Sequence, residues 1–358
     1  MGSLRTLFAI AVVFAHSYGY VFVGGRNAVQ LFYMISGFLI SYVIVERKAY
    51  SSIKSFYINR YLRLYPIYIT VATLTLIAFV IAAFVLNKNV EFFSIYYNAP
   101  VLANALLVFS NISLFLQDWV MFAGVEQNQL VFATNFFKSD IVLYKGLLVP
   151  QAWTLGVELS FYLIAPFILP KRKILVTLLS LSIALRIHLI YIGLGRQEPW
   201  TYRFFPTELA LFLLGALSHQ VILPFYRNIF SKENIERYST YSTYFLIFVT
   251  LVFWLIPVNE LIKSVALFAI FIALMPLTFL FQSKRDWDKW VGDLSYPIYI
   301  CHMLVIYVIS FVMGKLGIEN TIAFSLAAVA FTICMSVALN AYIGKPVEAL
   351  RNKFRKAN

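Results

Sequence analysis

The chain has 358 residues, 61% of them hydrophobic and only 13% charged, with a mean hydropathy of +0.80. That apolar content exceeds the roughly 45 to 50% of soluble domains, which excludes a water-soluble enzyme and implies a polytopic membrane protein. A net charge of +13 would suggest nucleic acid as a partner of a soluble chain, but here the basic residues must first be sorted by side of the membrane.

Apolar runs of ~20 residues, the length that crosses a bilayer, occur at Leu4–Val23, Ala28–Val45, Pro66–Leu86, Ala99–Leu116, Val149–Leu169, Ile174–Leu194, Phe205–Ile222, Tyr241–Pro257, Leu261–Phe281, Val291–Met313 and Thr321–Ile343. The first lacks a basic stretch before it and a small-x-small site after it, so it reads as a retained span rather than a cleaved signal. Cys301 and Cys334 both fall inside apolar runs. Neither a disulfide framework nor a cysteine metal site is expected, and no metal is implied.

Parity decides how many runs cross. Arg47, Lys48, Lys54, Arg60 and Arg63 follow the second run against one acid, which marks that connection and the N-terminus as cytoplasmic. If Ala99–Leu116 crossed, every later basic loop would fall outside. If it is re-entrant or interfacial, Lys171 to Lys173, the loop with Arg227, Lys232 and Arg237, the loop with Lys284, Arg285 and Lys289, and the tail with Lys345, Arg351, Lys353, Arg355 and Lys356 all fall inside, which together with the first five places 19 of the 29 Lys and Arg residues there. The expected fold is an all-α polytopic membrane helical bundle of about ten transmembrane helices, with one re-entrant or interfacial segment and both termini cytoplasmic. Residues 1–343 form its transmembrane domain and residues 344–358 a basic cytoplasmic tail. The positive charge is thus a topology signal, and no nucleic acid is expected. In the long outer connection, Tyr96, Tyr97, Trp119 and Phe122 suit an interface or a sugar-stacking surface.

Ionisable residues inside spans are functional candidates, because burying them in hydrocarbon is costly. In the first run His16 lies mid-span, with Arg5 roughly 16 Å away along the helix. At about 1.5 Å per residue, His16, Glu158 and Arg186 all lie roughly 10 to 12 Å below the outer surface, where a base, an acid and a cation could meet. The plainer reading is a structural Glu158–Arg186 ion pair and a satisfied core histidine. Toward the inner side Arg60 and Arg63 share a helical face among Tyr57, Tyr61, Tyr65 and Tyr68. Pro66 suits the first turn of the next span, which leaves the arginines in a cytoplasmic pre-helix. Such a pair fits a phosphate or serves as a positive-inside anchor. Further on, Asp293 and Ser295 can cap the helix that carries His302 near mid-span. His188 and His219 have no comparable context.

Together these residues resemble the acyltransferase-3 family of integral-membrane acyltransferases. Arg5 and His16 match its arginine, ten residues, histidine pattern. Leu31 to Ile40 resemble its aromatic-rich Ser-Gly-Phe span, through Ser36, Gly37 and Phe38. Arg60, Arg63 and Pro66 fit an Arg-x-x-Arg-x-x-Pro element. Trp153, Thr154, Leu155, Glu158, Phe161 and Tyr162 fit a Trp-Ser-Leu, Glu, Phe-Tyr signature, with Thr154 in place of serine, and Ser295, Tyr296, Tyr299 and His302 match a late Ser-Tyr-x-x-Tyr-x-x-His run.

The resemblance implies an enzyme of the inner (plasma) membrane that takes an acyl group, usually acetyl, from acetyl-CoA (acyl-CoA) inside and places it on a hydroxyl of an extracytoplasmic polysaccharide or lipid-linked glycan. It would work within membrane lipid, alone or with polysaccharide assembly partners. Arg60 and Arg63, helped by Arg5, would hold the donor's phosphates. His16 would act as general base or transient acyl carrier; Glu158 would orient it, and Arg186 would bind the acceptor or steady an oxyanion. Ser36 and Gly37 are expected to let the first two helices pack closely. A transporter of an acidic metabolite or lipid-linked sugar would also use buried charge, but transporters usually carry an internal repeat and interrupted helices, and neither is evident. A non-catalytic scaffold in a polysaccharide assembly complex would have no use for ionisable residues at one depth.

Overall fold

The fold is that of a computed structural model, which describes residues 1–200, 202–313 and 321–355; Lys356 of the basic tail lies outside them. Its helices are α1 (Gly2–Ser17), α2 (Gly24–Ser41), α3 (Ile53–Val80), α4 (Glu91–Asn98), α5 (Val101–Ser113), α6 (Trp153–Ile168), α7 (Arg172–Tyr191), α8 (Phe205–Leu217), α9 (Leu223–Ile229), α10 (Lys232–Val252), α11 (Glu260–Gln282), α12 (Asp286–Met313), α13 (Ile322–Leu339) and α14 (Lys345–Asn352). Eight of them, α2, α3, α7, α8, α10, α11, α12 and α13 with the turns that continue them, are long and apolar enough to cross a membrane. The chain is a multi-pass, helical membrane protein. Among the described residues the one sheet is a hairpin in the long connection, β1 (Ala123–Glu126) paired antiparallel with β2 (Gln129–Phe132). Its two turn residues, Gln127 and Asn128, both take positive φ, 48° and 60°, as a two-residue hairpin turn requires.

Helix α1 is held along α12. Gly2 sits against Gly292, with no side chain on either to separate the backbones. The Asp288 carboxylate accepts the backbone N–H groups of Gly2 and Ser3 at 2.6 and 2.8 Å, a negative charge at the positive end of a helix. One turn on, the Thr6 hydroxyl donates to the Val291 carbonyl at 2.7 Å. Residue numbers rise together in the two helices, so they run parallel. The expected span Leu4–Val23 is cut short at Ser17, because Gly19 turns to φ 139° and Gly24 to φ 72°, outside the helical region. At about 1.5 Å per residue, His302, beside the end of α1, is roughly 24 Å from the start of α12 and roughly 16 Å from its end. The last turn of α1 therefore ends within the bundle.

The close approach of Gly37 differs from expectation. Gly37 meets the backbone of Phe212, and Gly215 that of Met34, so the small residues seat α2 on α8 rather than on α1.

The basic segments gather at one end. Glu46 after α2 pairs with Arg227 on α9 at 3.2 Å and with His219 at 3.0 Å. Gln220 donates to the Leu169 carbonyl just before Lys171 to Lys173. Arg351 on α14 bonds Asn59 near the start of α3, and Arg5 lines one depression with Arg285 and Lys289.

Two expected boundaries move. Helix α3 is continuous from Ile53 through Pro66, so Arg60 and Arg63 lie inside it and not on a separate pre-helix. The proline is tolerated where packed neighbours satisfy the backbone, and beside it the Tyr296 hydroxyl donates to the Leu64 carbonyl at 2.6 Å. Similarly α12 begins at Asp286, before the positions proposed as its cap, and Ser295 bonds back within the helix to the Gly292 carbonyl at 2.7 Å. After α3 the chain forms α4, and then α5 turns inward. Tyr68, within α3, donates to the Asn111 carbonyl at 2.9 Å and Gln117 donates to the Tyr68 hydroxyl at 2.7 Å. The segment then continues into the hairpin, and α5, with 13 residues, is shorter than the eight long apolar helices. In that connection Tyr97 is 89% exposed, whereas Phe122 is buried against Trp200 and Phe204; Phe122 is core and no part of an exposed stacking surface.

A side chain longer than glycine at position 37 must push α2 away from α8. Gly37→Leu is expected to cost about 1 to 3 kcal/mol and to lower the thermal unfolding midpoint in detergent by several degrees; an unchanged midpoint contradicts the close approach.

Candidate active site

A cavity of about 670 Å³ opens among α1, α2, α3, α6 and α12, lined by Arg5, Arg60 and Arg63, by Ser36, Glu158 and Tyr162, and by Ser295, Tyr296 and Tyr299 among others. A second, more polar cavity of about 720 Å³ adjoins it and shares Arg5, Arg63 and Tyr296, adding Asp293, Glu348, Arg351 and Arg355.

The three arginines differ in what they have left to offer. Arg60 is buried; its Nη2 donates to the Tyr50 hydroxyl at 2.6 Å and to Asn59 Oδ1 at 3.0 Å, while its Nε has no acceptor. A buried donor without a partner is costly. Neither Arg5 nor Arg63 has a direct hydrogen bond or ion pair among the described residues. Each feels the other's charge, with Glu158 and Asp293 as the nearby acids on Arg5. The wall therefore presents two unshared guanidiniums and one orphaned N–H, an arrangement that suits a polyanion. Arg351, which the sequence reading left in the tail, is buried and bonds the carbonyl and side chain of Asn59, bringing a further cation to the second cavity.

Glu158 is deeper toward the basic end than expected. Helix α6 does not begin at the outer surface: the Gln151 amide donates to the Ile300 carbonyl at 2.6 Å and the Tyr299 hydroxyl to the Gln151 carbonyl at 3.1 Å, so α6 starts level with the middle of α12. The buried polar residues Gln117, Asp118 and Gln151 lie near this level, Asp118 against Gly156 of α6. Glu158, one and a half turns further in, accepts from Ser36 Oγ at 2.7 Å and from the Tyr162 hydroxyl. It does not hydrogen-bond His16, and the proposed orienting contact is absent.

His16 sits in the last turn of α1, exposed, its ring 5.1 Å from that of His302 and tilted by 34°. His302 is fully buried. The charge of the Arg203 guanidinium acts on His16. Arg203 lies 4.3 Å over the Trp153 ring, donates from Nε to Glu198 at 2.7 Å and from Nη2 to the Tyr202 hydroxyl at 3.0 Å. Tyr299 lines the first cavity one turn before His302, so the cation-lined cavity and the histidine pair are successive levels of one side of α12. Arg203 was missed because it falls in a connection between spans, where no periodicity singles it out.

Arg186 belongs to neither level. It pairs through Nη2 with Glu208 at 2.6 Å and with the Thr207 carbonyl at 2.8 Å, and Gln30 adds a second bond to Glu208 at 3.1 Å. Both readings made from depth, a Glu158–Arg186 pair and an Arg186 beside His16, fail because Glu208, with 0% side-chain exposure, already neutralises a guanidinium that is 26% exposed. Of the other motif residues, Trp153 carries Arg203, Ser295 bonds its own helix, and Tyr296 ties α12 to α3.

Fold and site define a multi-pass membrane protein with an arginine-lined cavity at its basic end and a histidine pair at mid-depth. The chain belongs to the acyltransferase-3 family: that family's acyltransferase domain matches residues 2–341, which makes the protein a membrane acyltransferase. A protein of Aquifex aeolicus (strain VF5), described as uncharacterized, is 24% identical over 211 residues, 57% of this chain and 89% of that protein. No solved structure matches the chain.

Removing Arg186 alone leaves a buried carboxylate without its partner, which typically costs about 3 to 5 kcal/mol. Arg186→Met should therefore lower the unfolding midpoint strongly, and Arg186→Met with Glu208→Leu should recover most of the loss. A single variant as stable as the parent would remove the pair from the stability account.

Proposed function

We propose that this acyltransferase moves an acyl group, acetyl by preference, from cytoplasmic acyl-CoA to a hydroxyl of an extracytoplasmic polysaccharide or lipid-linked glycan, in the inner (plasma) membrane. The observation that carries the reading is the pair of unshared guanidiniums, Arg5 and Arg63, on one cavity with the orphaned Arg60 Nε, at the end of the bundle where the basic segments meet. A coenzyme A donor offers phosphates to such a wall and a thin, extended arm to the largely apolar cavity above it. By the positive-inside rule that end is cytoplasmic. Ten helices, α1, α2, α3, α6, α7, α8 and α10 to α13, then cross or reach into the membrane, and both termini lie inside.

In this reading Arg5 and Arg63 bind donor phosphates and Arg60 contributes its free N–H. His16, accessible at mid-depth, takes the proton from the acceptor hydroxyl as its oxygen attacks the thioester carbonyl. Glu158, held by Ser36 and Tyr162, balances the arginine charge at the inner level. Arg203 over Trp153 stands where an acceptor entering from outside would pass. Arg186 has no part in the reaction.

The test supplies labelled acetyl-CoA to membranes carrying the protein and follows label into glycan. His16→Ala should lower transfer by about 10² to 10⁴-fold with the protein still inserted. Arg63→Ala, removing a charge-assisted bond of about 1.5 to 3 kcal/mol, should raise the donor KM roughly 10 to 100-fold while the acceptor KM stays. Full activity of the His16 variant removes that residue from the mechanism, and an unchanged donor KM reduces Arg63 to a topology anchor.

A further inference from the structure

His302 carries a ring nitrogen that nothing in the fold answers. Its Nδ1 lies 2.7 Å from the Tyr299 carbonyl oxygen one turn earlier. A carbonyl only accepts, so the ring proton resides on Nδ1 and Nε2 is left with its lone pair. That Nε2 is buried and without a hydrogen-bond partner, in a side chain with 0% exposure. Buried polar atoms in this condition are few and each calls for a reason. With Nδ1 turned back onto the backbone of α12, Nε2 faces away from that helix. The adjacent ring is His16 on the parallel helix α1, with centroids 5.1 Å apart, and His16 has no hydrogen-bond partner of its own among the described residues.

We propose that His302 is the positioning residue for His16: its Nε2 accepts the N–H of the His16 ring and so fixes which nitrogen of His16 keeps the lone pair. The inference rests on the acyl-transfer reading given above. A small reorientation of the exposed His16 ring brings one N–H onto Nε2. The other His16 nitrogen then takes the proton of the acceptor hydroxyl as the hydroxyl oxygen bonds to the thioester carbonyl carbon. The carbon–sulfur bond breaks, the sulfur leaves with the bonding pair, and the proton held by His16 passes to it. Alcohol and thioester give ester and thiol, and nothing else is consumed. His302 keeps its own proton on Nδ1 throughout, because the Tyr299 carbonyl holds it there. The same pairing explains why the second histidine is sealed from water: a water on Nε2 would compete for the lone pair.

Two measurements test this. In protein labelled with ¹⁵N-histidine, which has only four histidines to assign, His302 should show a single neutral tautomer protonated at Nδ1 and a coupling across a hydrogen bond from its Nε2 to a His16 nitrogen. A His302 ring protonated at Nε2 overturns the proposal, and this readout needs no turnover. In the labelled acetyl-CoA assay, His302→Phe, which keeps the ring's bulk without an acceptor, should lower kcat about 10 to 100-fold with donor KM unchanged. His302→Gln, which can place an amide oxygen near the lost Nε2, should recover kcat to within about threefold of the parent. Parental kcat in the Phe variant, or a Gln variant as slow as Phe with both variants equally stable to heat, overturns it. If the parent transfers no label at all, the acyl-transfer reading fails, and the nitrogen spectrum still decides whether His302 orders His16.

Discussion

The arrangement depends on the contact that seats α1 against α12. Gly2 and Gly292 allow the two backbones to meet, and the Asp288 carboxylate closes the open N–H groups at the head of α1. Once the heads are aligned, the parallel course of the two helices sets everything at higher levels. Arg5, one turn up, faces the cavities that Arg63 also lines. His16, three turns beyond Arg5, arrives beside His302. A register shift of one residue in α1 would turn both side chains by about 100° around the helix and separate the arginine and the histidine from their neighbours on α12 together.

Charge and depth divide the interior into two environments. At the basic end the guanidiniums outnumber the acids, and the one carboxylate on the first cavity, Glu158, is engaged by two hydroxyls. At mid-depth two imidazoles meet, and Arg203, whose charge acts on His16, is held by Glu198 and Tyr202. Tyr299 stands between, lining the lower cavity and passing its carbonyl to His302. A ligand with an anionic head and a long apolar arm matches this order of surfaces. The late start of α6, level with Ile300, contributes to this order by bringing Glu158 to the cavity that the arginines line.

Much of this was legible in the residues themselves. Apolar run length marked the spans, the basic clusters marked one end, Arg5 and His16 stood out as ionisable groups that hydrocarbon does not tolerate without a reason, and Arg60 and Arg63 as a guanidinium pair that fits a phosphate. What failed was depth. Glu158 was placed near the outer surface by assuming that its helix starts there, but α6 begins level with Ile300, a tertiary contact that no local pattern encodes. Arg186 was grouped with His16 and Glu158 because all three count to one depth; only the packing of α7 on α8 shows that its partner is Glu208. Pro66 read as a helix start because local propensity says so, whereas contacts along α3 carry the helix through it. Gly37 announced a close approach but not with which helix. The tautomer of His302 could not be read at all, since it follows from one backbone carbonyl.

In the proposed reaction donor and acceptor approach the histidine pair from opposite sides, the donor from the end that holds Arg5 and Arg63. Sealed vesicles of defined orientation, given labelled acetyl-CoA on one side only, separate the two approaches. Label should reach glycan only when the donor meets the face with the basic segments. Equal labelling from the opposite face would refute this order of approach.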